Sequence, residues 1–499
     1  MAEMFDVFAR ALVATVPLMI IFVGLAGLKR PGKQMGPIGL IAGLTLAHLF
    51  WNAPIDGLLS ASLAGVAWVV VVFCWSIFGA FFFLNFLKVS KIMEHVKGMF
   101  VGKGGDKRLD IILVGFSFAL LLGTIAPGGS NFAISSSILI AAGVDPASAS
   151  VVGMFGNGIQ SPYGLLGISI YSISYVTGLE LSSISGTTAL MMFPFVITAP
   201  LWMVLLYDRR RPLQVVVPAL LTGLTYGTVA ILVATYLGPE LPNLLAGAAA
   251  IIPCALWMRL KEGRSFNINA EAVLPFLVMA ALILTTRLTP PLRSLLTSQQ
   301  LSIKLYFPTG QRVTFQYLYS PGTLMIVATI ICALILNVQL SLMKEVLKLS
   351  AGQIIPLLIS TSSFVAMAEV MKTFGMTSTM AEAVAFLAGT YYPLVSPVVG
   401  MLGCVVTGST SASNIFFGAF QVEVAERLGI SKRVMAATQN VGSMAGEVLS
   451  PLNAIVIVAS LDMKGEEGTL IRRNVFTSLL YLIMAGALSL LFSSTPTLS

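Results

Sequence analysis

Ten apolar runs, near residues 10–28, 36–52, 58–86, 188–206, 213–237, 242–259, 270–287, 320–342, 353–371 and 474–495, leave this chain little freedom to fold in water. A helix that spans a bilayer needs about 20 apolar residues, and most of these runs approach or exceed that length. Two further stretches, 110–178 and 393–461, are equally apolar but are broken repeatedly by Gly, Ser, Asn and Pro. Only 10% of the 499 residues are charged and 57% are hydrophobic. A soluble domain carries roughly 25% charged residues, so soluble, disordered and fibrous classes are excluded. The expected fold is an all-α polytopic membrane protein with about 12 transmembrane helices plus two re-entrant hairpins and broken helices.

The connections add little. The longest polar insertion is 288–319, and within it SIKLYFPTGQRVTFQYLY alternates apolar and polar residues around a Pro-Thr-Gly turn. That pattern predicts a small extramembrane β-hairpin at 302–319. The first apolar run follows Glu3 and Asp6 and lacks a small-residue cleavage site, so it reads as a membrane helix and not a signal peptide. The four cysteines sit in apolar runs without CxxC spacing, and the two histidines are far apart. No disulfide frame, zinc site or other metal site is expected. His48 reads as a packing residue and His95 as part of a basic connector. The net charge of +8 is spread between apolar runs, which fits a positive-inside bias and not a nucleic-acid partner. HExxH, GxSxG and P-loop patterns are absent, so no enzymatic activity and no cofactor are expected.

The two interrupted stretches repeat one another. PGGSN at 127–131 leads on to Asn157, and STSASN at 409–414 leads on to Asn440 across an equal interval. Ser130-Asn131 thus matches Ser413-Asn414, and Asn157 matches Asn440, at one offset of 283. Between them, AAGVDP corresponds to RLGISK: a Gly ends one helix, and Asp145 or Ser431 is placed to cap the next. A second break follows each Asn, in GNGIQSPYG and QNVGSMAGEVLSP. The offset divides the chain into a first repeat, 1–207, with a hairpin at 110–143 and a broken helix at 146–178. A linking helix pair, 208–269, follows. The second repeat, 270–499, has its hairpin at 393–428 and its broken helix at 432–461. Five crossings per repeat, followed by two linking helices, would invert the second repeat relative to the first, a transporter signature. With the N-terminus outside, 20 of the 29 Lys and Arg residues fall inside, the direction the positive-inside rule requires. The expected location is the cell membrane, as a multi-pass protein in the lipid bilayer.

Irregular backbone at membrane depth survives only within protein or beside a water-filled cavity. The breaks therefore carry the candidate site: Gly128, Gly129, Ser130, Asn131, Asn157 and Gln160 in the first repeat, and Gly408, Thr410, Ser411, Ser413, Asn414, Gln439, Asn440 and Ser443 in the second. They offer hydroxyls, amides, freed N–H groups and the positive ends of half-helices. No Lys or Arg lies at a break, so a small anion would rely on those groups and a co-transported cation. Glu447 is the one acid in a break, and a buried carboxylate can carry a proton. Glu369, in STSSFVAMAEVMK, is the other coupling candidate, although its spacing to Lys372 also suits a local helical pair.

At these residues the chain resembles the L-lactate permease family. TGSTSASNIFFGAFQ at 407–421 is similar to that family's Thr-Gly-Ser-Asp-Thr-Ser-Ser-Asn segment. SPYGLLGISI at 161–170, YLGPELP at 236–242, YSPGT at 319–323 and MKTFGM at 371–376 also look like family segments, in the family's order. The resemblance implies import of L-lactate, D-lactate or glycolate coupled to protons. The Ser-Asn tips are similar to those of a broader ion-transporter superfamily, which implies a mobile transport domain sliding against the fixed scaffold of a homodimer. Three positions depart from the family: Gly123 stands where it has an acid, Thr410 where it has Asp, and Glu447 where a Lys is expected. The lead expectation is a proton-coupled monocarboxylate symporter of elevator type. A Na⁺-coupled organic-anion carrier is the alternative, and an anion channel the reading from another class.

Overall fold

The computed structural model describes residues 2–100, 104–126, 130–208, 212–264, 269–463 and 465–494. Among them, nine helices are long and apolar enough to cross a bilayer, or ten if the bent pair Lys432–Leu449 and Pro451–Ser460 counts as one span. Gly32–Trp51 is a further helix, rich in Gly and polar at its start, and Pro321–Ile335 is a shorter apolar one. The only strands among the described residues are β1 (Ile303–Tyr306) and β2 (Arg312–Phe315). They pair antiparallel with Ile303 opposite Phe315 and Tyr306 opposite Arg312.

Both interrupted stretches form two helices around a tip, a short capped turn, and then two helices around a second break. In the first, a helical segment ends at Gly123, and a new helix, Ser130–Ala141, begins after the tip. The first broken helix then runs as Pro146–Gln160, a tight turn Ser161–Tyr163, and Gly164–Thr177. In the second, Tyr392–Thr407 ends at left-handed Gly408, and Thr410–Leu428 starts with Ser409 as its cap. The second broken helix is Lys432–Leu449 followed by Pro451–Ser460, bent by 48°. The caps read from sequence are formed: Asp145 accepts from the Ser148 N–H and Ser431 from the Val434 N–H. Gly143 and Gly429 both take positive φ before them, where a side chain would be strained.

Most of the helices pack as two groups, with Ala2–Phe22 and Met376–Ala388 lying between them. A frame comprises Gly32–Trp51, Ile55–Trp68, Trp75–Val89, Ala270–Leu288, Pro321–Ile335 and the long helix Leu340–Thr373. The second group holds both hairpins and both broken helices, with Leu181–Tyr207, Val216–Tyr236, Pro242–Glu262 and Glu467–Ser493 around them. Lipid tails are as apolar as leucine, so close backbone approach and polar contacts drive such packing. In the frame, a Cβ on Gly79 would sit 2.4 Å from the Gly322 carbonyl, and Asn85 donates to Ser350 Oγ at 3.0 Å and Gln353 Oε1 at 2.9 Å. In the second group, a Cβ on Gly442 would sit 2.2 Å from the Pro397 carbonyl. Any larger residue there would push the second hairpin off its broken helix.

Candidate substrate-binding site

All four breaks converge on one cavity of about 770 Å³. Gly123 and Ala126 reach it from the first hairpin, and Asn157, Gln160, Gly164 and Leu165 from the first broken helix. Thr407 to Ala412 come from the second tip, and Glu447 and Asn453 from the second broken helix. The frame closes the other side with Gln353, Ser360 and Phe364 of the long helix.

Glu447 is the centre of this arrangement. The residue is 8% exposed, and its carboxylate accepts from groups on three separate segments. The Thr410 N–H and hydroxyl reach one oxygen at 3.1 and 3.2 Å, while Asn157 Nδ2 at 3.2 Å and Asn453 Nδ2 at 2.5 Å reach the other. Thr410 lies in the first turn of Thr410–Leu428, so the helix dipole also favours a negative charge there. Among the described residues no base touches the carboxylate, and these partners are all neutral. An ionised carboxylate can only accept, so it fixes the polarity of its neighbours. Asn157 turns its Nδ2 to Glu447 and its Oδ1 to Gln160 Nε2, 3.0 Å away. Gln160 Oε1 is left buried without a partner among the described residues, against Gly123 and Gly164. A Cβ on Gly123 would sit 2.3 Å from that oxygen, so a side chain at 123 would displace the Gln160 amide.

The sequence-predicted residues divide into two shells. Asn157, Gln160, Gly408, Thr410, Ser411 and Glu447 line the cavity. Asn131, Ser413, Asn414, Gln439, Asn440 and Ser443 do not; they are buried behind it. There Asn414 Nδ2 donates to Asn440 Oδ1 at 2.7 Å and to the Ser169 carbonyl at 3.0 Å. Gln439 Nε2 donates to Ser413 Oγ at 2.9 Å, and Ser413 and Ser443 both donate to the Gly400 carbonyl. Except for Asn131, these side chains knit hairpin to broken helix through one another and through carbonyls inside the helices, which leaves them no reach into the cavity. Gly128 and Gly129 lie outside the described residues, as does the Ser130 side chain. Glu369 is buried away from the cavity. It forms no direct ion pair with Lys372, whose ammonium instead donates to the Val176 carbonyl at 2.7 Å.

Several cavity residues lie outside the sequence-predicted set, among them Asn453, Gln353 and Ser360, and two of them are cationic. Lys29 and Arg30, in the turn after the first helix, are exposed and line the cavity, the only Lys and Arg among the described residues to do so. They were legible only as ordinary connector charges, because the turn is far from both hairpin tips in sequence. Lys29 takes a positive φ of 52°, uncommon for a residue with a side chain. The cavity wall is strained as well. Leu165, Leu166 and Gly167 make one left-handed turn, with φ of 48°, 57° and 72°. Each non-Gly residue in that conformation costs roughly 1–2 kcal/mol. The Leu166 N–H donates to the Thr124 carbonyl at 3.1 Å, tying this turn to the first tip.

Paired hairpins and broken helices around one cavity with a polar cluster, in a bundle of apolar spans, define a membrane solute transporter. The L-lactate permease family model matches residues 10–494, and the chain belongs to that family as a multi-pass membrane protein. It is 29% identical to an L-lactate permease of Streptococcus iniae, covering 87% of this chain and 94% of that one. It is 27% identical to the glycolate permease GlcA of Escherichia coli K12, covering 96% and 95%. Among solved structures, the YdaH transporter of Alcanivorax borkumensis, described as having an unusual topology, shares the fold. Its TM-score is 0.55 at 12% identity, covering 92% of this chain and 98% of that one.

Proposed function

We propose that the protein is a secondary active transporter that moves small monocarboxylates, lactate and glycolate among them, together with protons. The carrying observation is Glu447, a carboxylate held by neutral donors at the meeting point of the breaks and sharing its cavity with Lys29 and Arg30. The two cations attract an anion, and Thr410 and Ser411 offer hydroxyls beside it. An ionised Glu447 next to a bound carboxylate puts two like charges in one poorly solvated space. A proton on either group removes the repulsion and makes the loaded site cheaper to carry through the bilayer. Besides Lys29 and Arg30, the ionisable neighbours among the described residues are few: Cys404 on Tyr392–Thr407 lies beside Thr410. Tyr163 bonds the Ser185 carbonyl and Tyr481 the Met444 sulfur, so both point elsewhere.

On this proposal the chain comprises two inverted repeats, 1–207 and 270–499, with the N-terminus outside, and the second packing group moves against the frame in the elevator manner. The repeated spacing of the Ser-Asn and Asn positions and the two packing groups support it. The test is uptake into vesicles holding purified protein. Wild type is expected to accumulate lactate under an inward proton gradient, and Glu447→Gln to lose that accumulation while keeping lactate exchange. Accumulation driven by a Na⁺ gradient alone would favour the sodium-coupled alternative. Unchanged proton-driven uptake in Glu447→Gln would remove Glu447 from the coupling step.

A further inference from the structure

Two of the family-like segments are not used by the cavity, yet they meet at one buried cluster. YLGPELP carries Glu240 and YSPGT begins at Tyr319, while Arg287 lies in the last turn of Ala270–Leu288. Arg287 Nη2 donates to Glu240 Oε1 at 2.7 Å, and the Tyr171 hydroxyl donates to the same oxygen at 2.6 Å. The guanidinium lies 3.5 Å from the centre of the Tyr319 ring and also donates to the Tyr319 carbonyl. The Arg287 and Glu240 side chains are 5% and 3% exposed.

The cluster bridges the two packing groups. Arg287 and Tyr319 belong to the frame and its connection, whereas Tyr171 sits on the first broken helix and Glu240 on the loop before Pro242–Glu262. It is also joined to the cavity wall. Pro239 presses on Gly167, where a Cβ would meet the Pro239 carbonyl at 2.4 Å. Gly167 closes the left-handed turn whose Leu165 lines the cavity. Around the cluster the two groups are sealed together: Tyr175 stacks on Trp68 at 4.3 Å, and Lys372 donates to Val176. Lys372 lies beyond cavity-lining Ser360 on the same long helix, about 18 Å along its axis. The Lys29–Arg30 side of the cavity, in contrast, is exposed.

We propose that the Glu240–Arg287 pair is a latch that holds the transport group against the frame in this conformation, and that it releases when the turn at 165–167 rearranges around bound substrate. The inference rests on the alternating-transport reading above. A buried ion pair is a suitable latch because separating its partners without new ones is costly, so the two groups stay together until another change offsets that cost. Tyr171, three residues beyond cavity-lining Ile168, couples the latch to the turn.

The experiment compares Glu240→Leu, Arg287→Met and the double variant as purified, reconstituted protein. Each single variant strands a buried charge and is expected to lower Tm, whereas the double is expected to recover it. A latch predicts that the recovered double still differs from wild type in two ways. Its lactate KM shifts by about tenfold, the size of an ordinary coupling between sites. Amide hydrogen exchange along Gly164–Thr177 also becomes faster. A double variant with wild-type Tm, KM and exchange would show the pair to be packing alone and overturn the proposal. Should the double fail to fold, Arg287→Lys keeps the charge but loses the planar fork over Tyr319, and the same shifts, smaller, are expected of it. Hydrogen exchange needs no substrate. A wild-type protein that moves no carboxylate would therefore sink the transport reading while the exchange comparison still decided the latch.

Discussion

The two broken helices carry matching sequence and differ in how they are held. In the second, Asn414 and Asn440 bond each other at 2.7 Å, and the break is an extended Ser450 before Pro451. In the first, the corresponding Asn131 and Asn157 make no such bond. Asn157 is turned across the molecule to Glu447, and both amide atoms of Asn131 are buried without a partner among the described residues. Its break uses a left-handed turn in place of the Ser-Pro step. The second half is bonded across its tip, although Asn414 Oδ1 and Asn440 Nδ2 lack partners among the described residues, and the first half stores left-handed strain and leaves both amide atoms of Asn131 unpartnered. The different partner of the two Asn side chains has a physical source. The single acid in the four breaks sits in the second half, and it recruits its donor from the first.

Positions 165 and 448, which the offset of 283 pairs, put this contrast to its severest test. Val448 is a buried helical residue, so Val448→Gly is expected to cost about 2–4 kcal/mol through lost packing and backbone entropy. Leu165→Gly removes a half-buried side chain but relieves a left-handed strain of roughly 1–2 kcal/mol, so its net effect is expected to be small. Equal losses in thermal unfolding of the purified protein would contradict the strain assigned to the first break.

A smaller effect separates the tips. Asn414→Leu deletes two buried hydrogen bonds and strands Asn440 Oδ1, for an expected cost of about 1–2 kcal/mol. Asn131→Leu removes an amide without a described partner and is expected to be neutral or slightly stabilising. Chemical denaturation in mixed micelles would decide, and a cost at Asn131 matching that at Asn414 would mean the tips are equivalent.

Smaller again is the contribution of individual groups around the cavity. Thr410→Val keeps the shape and the backbone N–H but deletes one hydroxyl donor to Glu447, worth about 1 kcal/mol toward the ionised carboxylate. Weaker support for the ionised form should move the pH profile of lactate exchange toward higher pH, and a shift in the other direction would argue that Thr410 acts on the substrate instead. Lys29→Gln with Arg30→Gln is expected to raise the lactate KM and reduce its dependence on ionic strength. An unaltered salt dependence would return these cations to the role of connector charges.

Much of this was legible in the chain itself. Apolar runs dictate a helical membrane bundle because the bilayer core offers no partner for a bare backbone. The spacing of Gly143, Asp145, Gly429 and Ser431 fixes where helices stop and restart, since caps act over a few residues. The repeated Ser-Asn and Asn positions locate the breaks, and Asn157, Gln160, Gly408, Thr410, Ser411 and Glu447 follow from them. The three departures from the resembled family also acquire a shared setting: Thr410 bonds Glu447, and Gly123 makes room for the Gln160 amide that Asn157 links to the same carboxylate. Helical spacing sets Glu369 and Lys372 on one face of the long helix, but the two do not meet in a direct ion pair. A carbonyl on another helix offered Lys372 a better partner than its own neighbour did.

Short-range chemistry written along the chain therefore dictated span, cap, break and the residue types at each break. Which break residues face the cavity, and which are spent on packing, was settled in three dimensions, because it depends on how two halves distant in sequence rotate against each other. The same holds for the arrival of Lys29 and Arg30 in the space that Glu447 occupies, and for the gathering of Glu240, Arg287, Tyr171 and Tyr319 into one cluster. Charges and amides act through space over a few ångströms, and periodicity along a single chain carries no record of which distant helix will supply the partner.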